Sequence, residues 1–190
     1  MLACKPSSIP METNNKLTAN SGTKLVHPGS YRRLIDRLLY LTISKPDICY
    51  CVHKLSQFVS NPYTNHMHAA NIFLQYLKHI AGQGILFRAN SDAKLHAYVD
   101  ADWGSCPKSR RSTTGFCIFL GNSLVSWKAK RQKTVSRSSA EAEYRSLASV
   151  SGEITWIRNL LIDFNIRTPF VAIYCDNQSS NSYCFKSHFS

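Results

Sequence analysis

Residues 95–103 constrain the fold more than any other segment, because their side chains alternate in character and the segment ends on acids. The apolar positions are Leu95, Ala97 and Val99, and the polar positions between them lead to Asp100. A period of two predicts a strand with one buried face and one exposed face. A strand that ends on an aspartate is a common way to hold a metal ion, so Asp100 is the first candidate ligand.

Two further acids lie in settings that would suit the same site. Glu143 falls in the first turns of a helix predicted over residues 138–164, and Asp176 directly follows an apolar run over residues 170–175. Hydrolysis of a phosphodiester by two divalent ions needs clustered acids on rigid elements. Because all three candidates are oxygen donors, Mg²⁺ suits them better than Zn²⁺ does.

Glu141 competes with Glu143 for this role. Two residues along a helix are separated by about 200°, so the two side chains cannot face the same way. Glu143 lies four residues before Leu147 on the stripe expected to face the core, whereas Glu141 fits a capping box with Ser138 at the N-cap. We therefore assign the candidate ligand to Glu143.

Each acid also has an ordinary structural explanation. An aspartate at a strand end is commonly a turn residue, a glutamate in a first turn complements the helix dipole, and Asp-Asn after a strand commonly begins a loop. Taken singly, each acid is more simply explained in this way, so the candidate site depends on the motifs around the three acids. Asp102 is expected in the turn outside it.

Positive charge is concentrated beside the candidate acids. The chain has a formal net charge of +12, and no acid occurs between Asp102 and Glu141. Such a run favours binding to a nucleic-acid backbone, although a solvated hairpin face would have the same composition. We call the eight basic residues of this run the basic track. They are Lys108, Arg110, Arg111, Lys128, Lys130, Arg131, Lys133 and Arg137.

Two aromatic residues lie in or beside the same region. Trp103 and Trp127 could stack on bases or sugars, or pack against strands.

Composition indicates an intracellular protein whose compartment, nucleus or cytoplasm, is not distinguished. The seven cysteines are an odd number without regular spacing, which is typical of reduced thiols. Neither a signal peptide nor an apolar stretch of membrane-spanning length is expected.

The pattern of helices and strands predicts three regions. Residues 1–29 lack an apolar periodicity and are expected to be an extended linker or arm. Residues 30–82 predict a small bundle of three helices, over 30–42 with Ser30 as N-cap, 47–59 and 64–80. Residues 83–190 predict an α/β domain. Its expected elements are a hairpin of 84–88 with 95–99, a hairpin of 115–120 with 124–128, the helix 138–164 and the strand 170–175.

Six motifs in the second half resemble successive motifs of the ribonuclease H domain in copia-type retrotransposon Pol polyproteins. They include Tyr-Val-Asp-Ala-Asp-Trp at 98–103 and Tyr-Cys-Asp-Asn-Gln at 174–178, and the others occupy 111–116, 125–128, 138–144 and 156–161. Upstream segments resemble the end of the reverse transcriptase of the same polyprotein. These segments are 5–6, 9–11, 31–34, 38–42, 45–48 and 75–78.

The resemblance implies a ribonuclease H-like mixed sheet with flanking helices, preceded by the helical tail of a reverse transcriptase. It implies cleavage of the RNA strand of an RNA–DNA hybrid by two Mg²⁺ (or Mn²⁺) ions, which Asp100, Glu143 and Asp176 would bind. By position alone, the polar contacts to the substrate would be Ser138, Ser139, Asn177 and Gln178.

The same resemblance predicts an incomplete domain. The family's domain continues past the second strand-aspartate through a helix, a fifth strand and a closing helix, and a fourth acid comes from that part. An inactive remnant that binds nucleic acid without sequence preference is therefore the alternative. The expected partners are a hybrid or other nucleic acid and the remainder of a Pol polyprotein, with no membrane.

Overall fold

A computed structural model of the chain describes residues 4–11, 17–89, 92–168 and 171–176. The chain divides into two compact units, Met1–Gly84 and Ile85–Ser190. None of the helices in the described part of the chain combines the length and the apolar character needed to cross a bilayer.

The first unit is helical. Its core is built from fully buried side chains that include Tyr31, Ile35, Val52 and Phe73. The Tyr31 hydroxyl donates to the main-chain oxygen of Leu55 at 2.8 Å, which joins the first and second helices. The helices are α1 (Pro28–Leu41), a short 3-10 helix (Pro46–Ile48), α2 (Cys49–Ser56) and α3 (Thr64–His79).

The boundaries of the first two helices differ from those predicted. Helix α1 begins at Pro28, with His27 at the N-cap, so the assignment of Ser30 as N-cap was wrong. Proline suits a first helical position because its φ is already helical and its missing N–H would have no partner there. The Ser30 hydroxyl instead donates to the main-chain oxygen of His27 at 3.0 Å. Helix α2 ends at Ser56, three residues earlier than predicted.

The described residues 17–26 before α1 pack on α3 as an arm. Leu17 is buried, and the main-chain oxygen of Thr18 lies 2.9 Å from Nε2 of His66. The Thr64 N–H donates to the oxygen of Thr23 at 2.9 Å. Main-chain groups of an extended segment need partners, and the first turn of α3 supplies several of them.

The second unit is an α/β fold with a four-stranded mixed sheet. Its elements are β1 (Leu95–Asp102), β2 (Thr113–Leu120), β3 (Ser123–Arg131), α4 (Ser139–Asp163) and β4 (Val171–Tyr174). The strand order is β3-β2-β1-β4, with antiparallel pairing of β1 with β2 and of β2 with β3. Helix α4 is the crossover that allows β4 to pair with β1 in parallel.

One face of the sheet carries α4. Apolar side chains of β1 and β2, such as Val99 and Phe116, pack with Val150, Ile154 and Ile157 of the helix. The alternation in β1 seen in the sequence is thereby explained, because the apolar set lies under α4 and the polar set lies on the opposite face.

The predicted pairing of residues 84–88 with 95–99 was wrong. Residues 84–88 form no strand, although the Arg88 N–H donates to the hydroxyl of Ser123 at 3.1 Å. A strand has two edges for pairing, and those of β1 are taken by β2 and β4. The physical reason is therefore competition for the same edge.

Candidate functional site

The three candidate acids belong to elements that meet at one end of the sheet. Asp100 is near the carboxyl end of β1, and Asp176 follows β4, which runs parallel to β1. Tyr98 pairs with Tyr174, so each aspartate lies two residues beyond a paired residue. The start of α4 lies over the same end, since the hydroxyl oxygens of Ser146 and Thr114 are 2.8 Å apart.

The face on which Asp100 lies follows from the register. Ala101 pairs with Thr114, which contacts α4, whereas Asp100 pairs with Gly115 on the opposite face. Asp100 is exposed, and its Oδ1 accepts the N–H of Ala101 at 2.7 Å. The carboxylate is thus held close to its own backbone on the face away from α4.

Glu141 takes part in the capping of α4, as predicted, but its carboxylate accepts the N–H of Arg137 and not that of the N-cap residue Ser138. The Ser138 hydroxyl accepts the Glu141 N–H at 3.1 Å, as expected of an N-cap. The Glu141 carboxylate accepts the N–H of Arg137 at 2.6 Å, one residue before the N-cap, and pairs with Arg145 at 2.7 Å. The Arg137 N–H, together with Arg145, lowers the pKa of the Glu141 carboxyl.

Glu143 is half-buried in the second turn of α4, beside the buried Ala142. Within the described residues, no three side chains of His, Cys, Asp or Glu form a group that could hold a metal ion. The oxygen donors of Asp100, Glu143 and Asp176 suit Mg²⁺ chemically, but their described arrangement does not assemble a three-ligand site.

The residues proposed as polar contacts to a substrate are only partly described. Ser138 is occupied as the N-cap of α4, and Ser139 is the exposed first residue of that helix. Asn177 and Gln178 lie outside the described residues.

The basic track occupies two loops and the edge strand β3. Five of its side chains are exposed, and two of the remaining three turn toward the protein. Lys128 Nζ lies 5.7 Å from the centre of the Phe116 ring, and Arg131 Nη1 donates to Cys106 Sγ at 3.3 Å. The exposed members are Lys108, Arg110, Lys130, Lys133 and Arg137.

Cys106 takes part in the electrostatics of this surface. Burial opposes ionisation of the thiol, but hydrogen bonds from Ser109, Arg131 and the main chain of Lys108 outweigh it and lower its pKa to about 7. A thiol that ionises near neutral pH accepts a stronger hydrogen bond from a guanidinium. Arg131 is thereby drawn inward and away from the exposed part of the basic track.

A partly buried polar network within the last stretch of the basic track was missed by sequence reasoning. Its centre is Gln132, whose amide nitrogen donates to the oxygen of Ala142 at 2.9 Å and to the hydroxyl of Thr114 at 3.1 Å. Its amide oxygen accepts the hydroxyl of Ser136 at 2.9 Å. A glutamine within a basic run has no local signal that distinguishes it from a solvated residue, so only the fold could identify it.

The second unit defines a class of protein, an α/β domain whose mixed sheet and crossover helix are compatible with a ribonuclease H-like fold. The chain is 42% identical to the Retrovirus-related Pol polyprotein from transposon RE2 and 43% identical to that from transposon RE1, both of Arabidopsis thaliana. The chain belongs to the retrovirus-related Pol polyproteins of copia-type transposons.

Each match extends over 185 residues and covers 97% of this chain but 13% of the Pol polyprotein. The chain thus spans a small part of the length of these relatives. It is also 43% identical over 157 residues to the Uncharacterized mitochondrial protein AtMg00810 of Arabidopsis thaliana, covering 82% of this chain and 65% of that protein. No protein-family model and no solved structure matches the chain.

Proposed function

We propose that the second unit is the ribonuclease H region of a copia-type Pol polyprotein, that the first unit is the end of its reverse transcriptase, and that the ligand is an RNA–DNA hybrid. The observation that supports the proposal is the order of the elements: Asp100 lies on β1, Asp176 follows the parallel neighbour β4, and Glu143 lies on α4, the crossover helix between them. The similarity to retrovirus-related Pol polyproteins over 97% of this chain supports it as well.

The proposed reaction is hydrolysis of a phosphodiester in the RNA strand. Bound Mg²⁺ or Mn²⁺ would activate water and stabilise the leaving oxygen, with Asp100, Glu143 and Asp176 as its proposed ligands. The chain would also bind and orient the phosphate backbone of the substrate through the exposed cations of the basic track.

The exposed members of the basic track supply that binding. Lys130 lies on the edge strand β3, and Lys133 and Arg137 follow it in the loop before α4. Phosphate contacts of this kind release counterions, so they contribute sequence-independent affinity that falls steeply with salt.

Cleavage of a labelled hybrid in Mg²⁺ tests the proposed reaction. We expect cleavage of the RNA strand by the wild-type chain and its loss in Asp100→Asn, which keeps the size of the side chain and removes its charge. Asp92→Asn is the matched control, because Asp92 is an exposed acid of the same unit that pairs with Lys94. Equal cleavage by wild type and Asp100→Asn would contradict the assignment of Asp100.

A second candidate function is binding of nucleic acid without cleavage. The exposed cations of the basic track favour it, because they can bind phosphates whether or not cleavage follows. In that case a salt titration of hybrid binding gives a steep negative slope while no RNA fragment appears in Mg²⁺ or Mn²⁺. Failure to bind hybrid at low salt would contradict both candidates.

A further inference from the structure

Trp103 presents a half-exposed indole ring directly after β1. Its side chain is 51% exposed, and its Nε1 donates to the main-chain oxygen of Ser136 at 3.1 Å. The single polar atom of the ring is therefore satisfied by the protein, and what remains at the surface is apolar ring. Exposed tryptophan held in one orientation has the form of a stacking surface.

The partner that holds Trp103 is itself fixed. Ser136 is buried, and its hydroxyl donates to the side-chain oxygen of Gln132 at 2.9 Å. Gln132 in turn is bonded to the main chain of Ala142 in α4. The N–H of the next residue, Gly104, donates to the buried Ser112 hydroxyl at 3.2 Å. The orientation of the indole is thus set by the core of the unit rather than by its loop alone.

Cations of the basic track lie near the residues that flank and hold this ring. The Arg110 guanidinium packs over Gly104, since a Cβ at Gly104 would lie 3.5 Å from Arg110 Nη2. Lys133 and Arg137 are exposed and lie in the segment that contains Ser136, the residue bonded to the indole. An aromatic surface near several cations suits a nucleotide, because the base can stack while the neighbouring phosphates meet the positive charges.

We propose that Trp103 stacks on the base of an unpaired nucleotide in a nucleic-acid strand bound along the basic track. The inference rests on the proposed nucleic-acid binding and adds to it a preference, since an unpaired base has a free face and a base inside a blunt duplex does not. Stacking on one aromatic side chain is expected to strengthen binding by about tenfold.

Binding of a single-stranded oligothymidylate to Trp103→Ala and Trp103→Phe tests the proposal. We expect affinity to fall about tenfold in the alanine variant and to be largely retained in the phenylalanine variant. The slope of log K against log salt should not change, because stacking makes no phosphate contact. Trp156→Ala is the matched control, since Trp156 is 60% exposed on α4 and lies outside the basic track; its affinity should equal that of wild type.

Two further measurements separate stacking from charge. Oligothymidylate should quench the tryptophan fluorescence of the wild type but not of Trp103→Phe, which retains an aromatic ring, and heparin, a polyanion without bases, should quench neither. Blunt duplex DNA should bind wild type and Trp103→Ala equally well.

Each failure has its own signature. The stacking role is overturned if Trp103→Ala binds oligothymidylate as tightly as wild type does. It is also overturned if Trp103→Ala loses as much affinity for heparin as for oligothymidylate. Either result leaves the proposed function intact. No binding of hybrid, oligothymidylate or heparin at low salt overturns both.

Discussion

The side-chain amide of Gln132 donates to the main-chain oxygen of Ala142 at 2.9 Å, and this bond fastens the segment after β3 to the first turn of α4. The same amide group reaches Thr114 on β2 and Ser136 in the loop. One side chain therefore connects the edge of the basic track, the sheet and the helix that carries Glu143.

Substitution Gln132→Ala should destabilise the second unit by about 2 kcal/mol. It removes the donor to Ala142 and the acceptor of the Ser136 hydroxyl, and both groups would stay buried without replacement. Unfolding in urea measures the loss. Gln83→Ala is the control, because Gln83 is exposed, and it should change stability by less than about 0.5 kcal/mol. Equal stability of the two variants would show that the network contributes little.

Substitution Gly104→Ala should cost about 1 kcal/mol. Gly104 has a φ of 61°, a left-handed conformation that carries a steric cost for residues with a Cβ. The nearest atom to an added Cβ, Arg110 Nη2 at 3.5 Å, is in ordinary contact, so the cost comes from the backbone. Thermal unfolding of both variants should show Gly115→Ala as neutral or slightly stabilising, because nothing lies within 4 Å of a Cβ there. If Gly104→Ala unfolds at the same temperature as wild type, Gly104 does not have this left-handed conformation.

Stability of the first unit should decrease as pH falls below 6.5. Burial, opposed by the hydrogen bond to Thr18, lowers the pKa of His66 from 6.5. The neutral ring accepts the Tyr63 N–H at 3.0 Å through Nδ1, and protonation would abolish that acceptor. The unfolded chain therefore binds the proton more readily, so stability is full above pH 6.5 and is lost below it, by at most about 1.4 kcal/mol per pH unit.

The measurement is the urea midpoint between pH 7.5 and 5.5. In His66→Gln the decrease over this range should become smaller, because the titrating group is absent. His68→Gln is the matched control, since His68 is exposed on the same helix and its removal should leave the wild-type decrease unchanged. A wild-type decrease that persists in His66→Gln would assign the pH dependence to another group.

The double substitution Lys130→Ala with Lys133→Ala should weaken hybrid binding and make it less dependent on salt. If both side chains contact phosphates, the slope of log K against log salt should become shallower by about 2. Lys94→Ala is the control, because Lys94 is an exposed lysine of the same unit outside the basic track. Binding by fluorescence anisotropy at several salt concentrations measures the slope. If the double variant keeps the wild-type slope, the phosphate backbone of the nucleic acid does not contact Lys130 and Lys133.

The helices and the four strands of the described sheet follow from local pattern, including β4, which lies within the strand predicted over 170–175. The prediction of residues 138–164 as a helix with Ser138 as N-cap is confirmed, because α4 has a continuous apolar stripe and a capping residue. The alternation in β1 and the hairpin of β2 with β3 are confirmed for the same reason. The predicted strand at 84–88 is the clear failure, since apolar composition cannot report that both edges of β1 are already paired.

The candidate site was predictable in its elements but not in its contacts. The order of Asp100, Glu143 and Asp176 along the chain could be matched to strand, helix and strand. Their roles in metal binding stay a prediction. Trp103 and Gln132 acquire their significance only from partners 33 and 10 residues away in the chain, Ser136 and Ala142.

The sequence by itself determined the local periods of this protein: which residues alternate, where α4 begins, and that Asp100 belongs to the polar set of its strand. Tertiary structure alone decided which face α4 covers and hence that Asp100 lies on the other one. It also decided that the arm packs on α3 and that Gln132 bonds to the sheet and to α4. The physical reason is that periodicity is a property of neighbours along the chain, whereas burial and hydrogen-bond partners depend on segments brought together from far apart.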